Sequence, residues 1–214
     1  MSSAGIVAAE ASTTMPDWEH ERRFPISVSM YHEMIEKGVL GPDDKVELIE
    51  GDLIKRYSST MLATYVHGTL GDMLRKFEPD GWHLAMVCAI TMDDSEPEPD
   101  IMFCRGVIRD YITHHPYPHQ VGLVIEIATA ESIVVDAVLK RSIYARAGIP
   151  LYWVVGTEER FIQVFTEPDS KGDCPDYRCT KRFTATDDVP VVLDGKAIGT
   201  ISGKLLWGPC DEQR

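Results

Sequence analysis

The most constraining feature of the sequence is an apolar run that contains one acidic residue. Residues 121–128 read VGLVIEIA, and Glu126 is the charged side chain among them. An almost continuous apolar run of this length is typical of a β-strand that is buried on both faces. An ionised carboxylate inside such a strand costs several kcal/mol unless a partner compensates its charge. The chain must therefore fold so that a metal cation, or a buried lysine or arginine, reaches Glu126.

The rest of the pattern predicts a sheet with helices packed on it. Capping residues, apolar spacing and glycine stops predict helices near 27–38, over 63–77 and over 132–147. Two β-prone runs around a Glu-Gly pair predict a hairpin at 46–54. Further strands are predicted at 82–92, 101–103, 121–128, 151–155, 161–165, 177–183 and 189–193. This order indicates a mixed α+β or α/β fold, in which a central mixed sheet is flanked by helices.

The length and composition predict one globular domain. The chain has 214 residues, of which 44% are hydrophobic, and this is enough to fill one core. We expect a single domain over 24–214 after a disordered N-terminal tail at 1–23. No apolar run approaches the roughly 20 residues that cross a membrane, and the start lacks the features of a signal peptide. Together with five cysteines that form no CxxC pair, these features predict a cytoplasmic protein with reduced thiols.

The formal net charge of −13 limits how the chain can contact nucleic acid. Binding to phosphates over a wide surface requires clustered lysine and arginine side chains. The charge therefore excludes a broad DNA-binding surface, whereas a local basic patch is compatible with it. Any contact with DNA is expected to be weak and local.

A second acidic residue, Asp100, opens a predicted strand in the dipeptide Pro99-Asp100. Two carboxylates from neighbouring strands, Asp100 and Glu126, would provide the hard oxygen ligands that Mg²⁺ prefers. A salt bridge between Glu126 and a buried lysine or arginine would compensate its charge as well, without any chemistry. The residues alone leave both interpretations open.

The helix predicted after the Glu126 strand carries polar residues at four-residue intervals. Asp136, Lys140 and Tyr144 lie on one side of an α-helix, with a drift of about 40° per step. This side could return a lysine to the Glu126 strand. The alternative is an ordinary surface salt bridge between Asp136 and Lys140, which is common at this spacing.

Four segments of the chain resemble the Uma-two (Uma2) family of restriction endonucleases, which belongs to the PD-(D/E)XK nuclease superfamily. They are VELIEGDLI (Val46–Ile54), SEPEPDI (Ser95–Ile101), LVIEIA (Leu123–Ala128) and DAVLKRSIYARAGIPLYWVV (Asp136–Val155). The last segment is specific, whereas the PD dipeptide alone is not, and the resemblance covers about 24–167. It implies a restriction-endonuclease-like core, and an endonuclease that hydrolyses DNA with Mg²⁺ or Mn²⁺. A homodimer is compatible with it.

The resemblance also implies roles for individual residues. Asp100 and Glu126 match the two acidic positions that bind the metal. Ala128 stands where the superfamily motif has a lysine, and Lys140 matches the helix position to which that lysine has moved in this family. Glu47 matches the acidic residue of the first hairpin, and its implied catalytic role is to complete the metal shell or to position a second ion.

Three further residues match accessory positions. Asp136 and Tyr144 match helix positions near the site. His67 follows about one helical turn after the place where the family has a histidine, so it is either a shifted counterpart or an ordinary helix residue.

Two other functions fit the same sequence. One is a binding or regulatory protein on this fold without catalysis, which the acidic charge favours. The other is a structural dimer module, in which the runs LYWVV (151–155) and FIQVF (161–165) form the interface. Convergence of Asp100, Glu126 and Lys140 on one point would favour the nuclease.

Overall fold

A computed structural model describes residues 23–171 and 174–208 of the chain. The tail predicted for 1–23 lies outside these residues, apart from Arg23. In chain order the strands are β1 (Val46–Ile49), β2 (Asp52–Lys55), β3 (Trp82–Met86), β4 (Ile101–Arg105), β5 (Val121–Ala128), β6 (Leu151–Gly156), β7 (Phe161–Asp169), β8 (Asp176–Thr184), β9 (Asp188–Leu193) and β10 (Lys196–Ser202).

The strands form one central sheet and two small hairpins. The central sheet has six strands in the order β3-β4-β5-β6-β7-β8, and β5 and β6 are parallel while the other neighbours are antiparallel. The pairs β1–β2 and β9–β10 form separate antiparallel hairpins. The predicted mixed sheet with flanking helices is therefore confirmed.

The helices begin at the capping residues that the sequence offers. Helix α1 (Val28–Glu36) starts where the Ser27 hydroxyl accepts a hydrogen bond from Met30 N at 3.2 Å. Helix α2 (Met61–Arg75) starts at Thr60, whose hydroxyl accepts one from Ala63 N at 3.1 Å. The crossover from β5 to β6 contains a π-helical segment (Val135–Lys140) and then α3 (Arg141–Arg146), and α4 (Gly203–Trp207) follows β10.

The two faces of the central sheet pack differently. On one face, α2, α4 and the β9–β10 hairpin cover a large apolar cluster that includes Leu70, Ile125 and Trp153. On the other face, the β5–β6 crossover covers a smaller cluster that includes Tyr144 and Tyr152. Strand β5 is buried along its whole length, as its apolar composition predicts.

Two strand predictions differ from the structure. The predicted strand at 82–92 ends at Met86, because Val87 has a φ of +49°, a left-handed conformation that breaks the extended backbone. Strand β10 was not predicted, since its sequence KAIGTIS alternates weakly and contains a glycine.

The runs LYWVV and FIQVF, which form the interface in the dimer alternative, belong to the adjacent strands β6 and β7 within the central sheet. Strand β6 is buried throughout, between β5 and β7, and β7 is in turn covered along its edge by β8. Neither strand is available as a sheet edge for a second copy. None of the described helices is long and apolar enough to cross a membrane.

Candidate active site

Asp100 and Glu126 are brought together by the pairing of β4 with β5. Asp100 directly precedes β4, whose first residue Ile101 lies opposite Ile125. The Oδ2 atom of Asp100 accepts a hydrogen bond from Ile127 N at 2.6 Å. Both carboxylates line one cleft of about 300 Å³, so the predicted meeting of two carboxylates from neighbouring strands is present.

Lys140 lies at the centre of a buried charged cluster. Its Nζ is 2.9 Å from Oε1 of Glu47, 3.1 Å from Oε1 of Glu126 and 3.8 Å from Oδ1 of Asp136. Lys140 and Asp136 are each only 5% exposed. The alternative of a surface salt bridge between Asp136 and Lys140 is therefore wrong, because this ion pair is buried and shared with two glutamates.

The helical segment after β5 lies over the face of the sheet that carries Glu126, and it contributes the side chains that surround this residue. Asp136 and Lys140 lie in the π-helical segment, and Tyr144 lies one turn later in α3. The Tyr144 hydroxyl donates a hydrogen bond to Oε1 of Glu126 at 2.7 Å. The predicted common side of the helix is thus confirmed, and short π-helical segments are frequent at functional sites.

Glu47 and His67 approach the cleft from the two elements that flank it. Glu47 lies in β1, and its Oε2 accepts a hydrogen bond from Glu98 N at 3.1 Å while its Oε1 faces Lys140. His67 lies in α2, and its Nε2 is 3.1 Å from the carbonyl oxygen of Asp100, to which it can donate. Both residues line the cleft, so His67 lies at the site rather than elsewhere on the helix.

Burial sets the protonation of the cluster. It raises the pKa of Asp100, although the Ile127 N–H and Lys140 oppose this. It also raises the pKa of Glu126 well above its usual value, and that of Asp136 to about 6. Burial lowers the pKa of Lys140, but the surrounding carboxylates outweigh this effect and the net shift is upward. Lys140 is therefore an ammonium, and the surrounding carboxyl groups lose their protons less readily than they would in water.

Among the cleft residues that sequence reasoning missed are Arg56 and Glu98, which form an ion pair. A period-two pattern would have found Arg56, because Glu47 lies opposite Ile54 and Arg56 is two residues further along the same face. Glu98 lies in the loop before β4, outside any strand, so no periodic pattern points to it.

The donor atoms of the cleft fit a divalent cation that is completed by water and phosphate. One oxygen of each carboxylate is used, since Asp100 Oδ2 and Glu126 Oε1 accept hydrogen bonds from the protein. The other oxygen of each accepts none from residues 23–171 and 174–208. Over those ranges no three Asp, Glu, His or Cys side chains are grouped to hold a metal by themselves. Mg²⁺ needs fewer, because it commonly keeps several waters and binds one or two carboxylates together with substrate phosphates.

Comparison with known protein families identifies the family of this chain. The sequence model of the Uma2 family, described as "Putative restriction endonuclease", matches residues 28–193. The chain belongs to the Uma2 family. The matched range contains every residue of the Uma2 site described above, from Glu47 to Tyr144, and the resemblance found in the sequence is confirmed.

A solved structure shares the Uma2 fold. It is a crystal structure of a protein from Anabaena variabilis, described as a "putative nuclease belonging to DUF820", with a TM-score of 0.61 and 14% sequence identity. The match covers 86% of this chain and 98% of the other. At this identity the likeness concerns the fold, and it agrees with a nuclease-like architecture. None of the curated proteins compared with the chain matches it.

Proposed function

We propose that the chain is a metal-dependent endonuclease that hydrolyses phosphodiester bonds in DNA. The observation that carries the proposal is the convergence of Asp100, Glu126 and Lys140 in one cleft. Two carboxylates and a lysine are the groups that the sequence predicts for this chemistry. Membership of a family of restriction endonucleases supports the same reaction class.

Asp100 and Glu126 would hold Mg²⁺ or Mn²⁺ through the carboxylate oxygens that accept no hydrogen bond from the described residues. Such an ion, when bound, polarises a phosphate and lowers the pKa of a bound water. Tyr144 fixes the orientation of Glu126 through its 2.7 Å hydrogen bond. Tyr144 and Lys140 both donate to Oε1, and Oε2 of Glu126 accepts no hydrogen bond from the described residues. Tyr144 therefore acts as a positioning residue.

Lys140 is the group that would stabilise the charge developing on the phosphate. Its ammonium is held by Glu47 and Glu126 within hydrogen-bonding distance, so it is oriented before substrate arrives. Preorganised donors of this kind contribute because they need no rearrangement during the reaction. Both oxygens of Glu47 are engaged, by Lys140 and by Glu98 N, and we therefore assign Glu47 to positioning Lys140 rather than to the metal.

A binding protein without catalysis is the second candidate, and the Lys140–Glu126 contact of 3.1 Å favours it. This contact compensates the charge of Glu126 without a metal. Cleavage assays with DNA in Mg²⁺ or Mn²⁺ separate the two candidates. A nuclease cleaves DNA only with the ion, whereas a binding protein leaves DNA intact with or without it.

The assay includes variants of the site and one matched control. We expect no cleavage by Asp100→Asn, and a kcat about 10²–10³ lower for Lys140→Ala. Glu96→Gln serves as the control, because Glu96 is also a buried glutamate but pairs with His32 outside the cleft. It should cleave like the wild type. The proposal fails if the wild type cleaves nothing, or if Asp100→Asn is fully active.

A further inference from the structure

The last residue of β2 and the four residues after it form one wall of the cleft. Residues 55–59 read KRYSS, and all five line the cleft. Tyr57 is 50% exposed, so its ring contributes little to the core. An aromatic ring in this place is available to a bound molecule.

Arg56 is held near the catalytic carboxylates by an anion of the protein itself. It forms an ion pair with Glu98, and both side chains are about one-third exposed at 27% and 32%. A guanidinium binds carboxylate and phosphate with the same planar geometry. A substrate phosphate could therefore take the place of Glu98 without any change in the backbone.

The charge of the cleft is unsuited to a DNA duplex. Its lining contains the cations Lys55, Arg56 and Lys140, and Lys140 is already surrounded by carboxylates. The acidic residues that line it are more numerous, namely Glu47, Glu98, Asp100, Glu126 and Asp136. With a net charge of −13 on the whole chain, a broad phosphate-binding surface of the kind that grips a duplex is not available.

An unpaired strand requires less positive charge, because its bases contribute to binding. Each exposed base has a π-face that stacks on an aromatic side chain, and such stacking does not depend on sequence. Tyr57 supplies the aromatic ring, and Arg56, the residue before it, supplies the cation. The two lie beside Asp100 and Glu126 in the same cleft.

We propose that the substrate is an unpaired DNA strand, which residues 55–59 bind by stacking a base on Tyr57 while Arg56 exchanges Glu98 for the adjacent phosphate. The proposal rests on the nuclease function for its substrate class, but the binding step can be measured without catalysis. Glu98 then acts as an internal substitute for phosphate, which keeps Arg56 in place until a strand arrives.

Fluorescence anisotropy in EDTA measures the binding step alone. The probes are a short labelled DNA strand of mixed sequence without self-complementarity and the same strand annealed to its complement. We expect the wild type to bind the single strand about tenfold or more tightly than the duplex. Tyr57→Ala should weaken single-strand binding about tenfold and leave duplex binding unchanged.

Matched variants separate stacking from a general effect of mutation. Tyr57→Phe keeps the ring and should bind like the wild type. Tyr65→Ala removes a tyrosine that is 49% exposed on α2 but does not line the cleft, and it should also bind like the wild type. Glu98→Gln should strengthen single-strand binding, and this gain should disappear when Arg56→Ala is combined with it.

The outcomes distinguish this inference from the nuclease function. The inference is wrong if no single strand binds, if the duplex binds as tightly, or if Tyr57→Ala and Tyr65→Ala have equal effects. If the wild type cleaves duplex DNA with Mn²⁺ while any of these results is obtained, the nuclease function stands and the inference alone fails. If Tyr57-dependent binding is found without any cleavage, single-strand binding by residues 55–59 stands, whereas the nuclease function fails and the strand is a ligand, not a substrate.

Discussion

Neighbouring residues of β5 face two different environments. Ile125 packs into the large apolar cluster under α2, whereas Glu126 faces Lys140 and Tyr144 under the β5–β6 crossover. Both residues are almost completely buried, so burial alone does not distinguish them. One face of this sheet therefore supplies stability through apolar packing. The other face holds buried charges, each of which depends on its oppositely charged partners to remain buried.

The largest expected effect comes from removing the cation of the charged face. Lys140→Met keeps an apolar stem of similar length but leaves Glu47, Glu126 and Asp136 without the ammonium between them. Because buried charges that lose their partner are strongly destabilising, we expect a loss of about 3–5 kcal/mol in the free energy of unfolding. Urea denaturation at neutral pH in EDTA measures it.

Lys55→Met is the control for this prediction. Lys55 also lines the cleft but its side chain is exposed, so its removal should change stability by less than about 0.5 kcal/mol. Equal effects of the two substitutions would show that the charged face is not held by Lys140.

The next effect is a dependence of stability on pH. The pKa of Asp136 is about 6 in the folded chain, against its usual value of 3.8, so between these values the folded state binds more protons than the unfolded state. Its contribution therefore falls as the pH rises from about 4 to about 6, by on the order of 3 kcal/mol.

Denaturation of wild type and Asp136→Asn across this pH window in EDTA isolates the effect, since other acidic groups titrate in both proteins. The free energy of unfolding of the wild type, relative to that of Asp136→Asn, should fall as the pH rises through this window. A constant difference would contradict the raised pKa and the crowding of charges that we describe.

The smallest effect belongs to the apolar face of the same strand. Ile125→Val removes one methylene group from the large cluster, and we expect a loss of about 0.5–1.5 kcal/mol in the free energy of unfolding. Cleavage activity and metal binding should not change, because Ile125 packs in the large apolar cluster on the face opposite the charged groups. If Ile125→Val lost activity while its loss of stability stayed within the predicted range, the two faces of the sheet would be coupled.

The sequence predicts the apolar part of this molecule well. Strand β5 and helix α2 lie within a few residues of their predicted positions, because long apolar patterns specify them. The single carboxylate in β5 also indicates that a cation must be near, and Lys140 occupies that position. The four-residue spacing on the following helix left a surface salt bridge open as the alternative, and the resemblance to the Uma2 family assigned Lys140 to the site.

The irregular features could not be predicted in the same way. The left-handed conformation of Val87 ends β3 early, and a valine gives no local signal for it. The ion pair of Arg56 with Glu98 joins residues 42 positions apart, so it follows from how the hairpin packs against the loop before β4. The sequence also left open whether a metal or a basic side chain compensates the charge of Glu126, and the structure places Lys140 beside it.

Calorimetric titration with Mn²⁺ tests the central claim, that Asp100 and Glu126 together bind a divalent cation. We predict that the wild type and the buried control Glu96→Gln bind Mn²⁺ at one site, whereas Asp100→Asn and Glu126→Gln do not bind it although they remain folded. Thermal denaturation of each variant verifies the fold. The absence of binding by the wild type at millimolar Mn²⁺, or unchanged binding by both site variants, would contradict the claim.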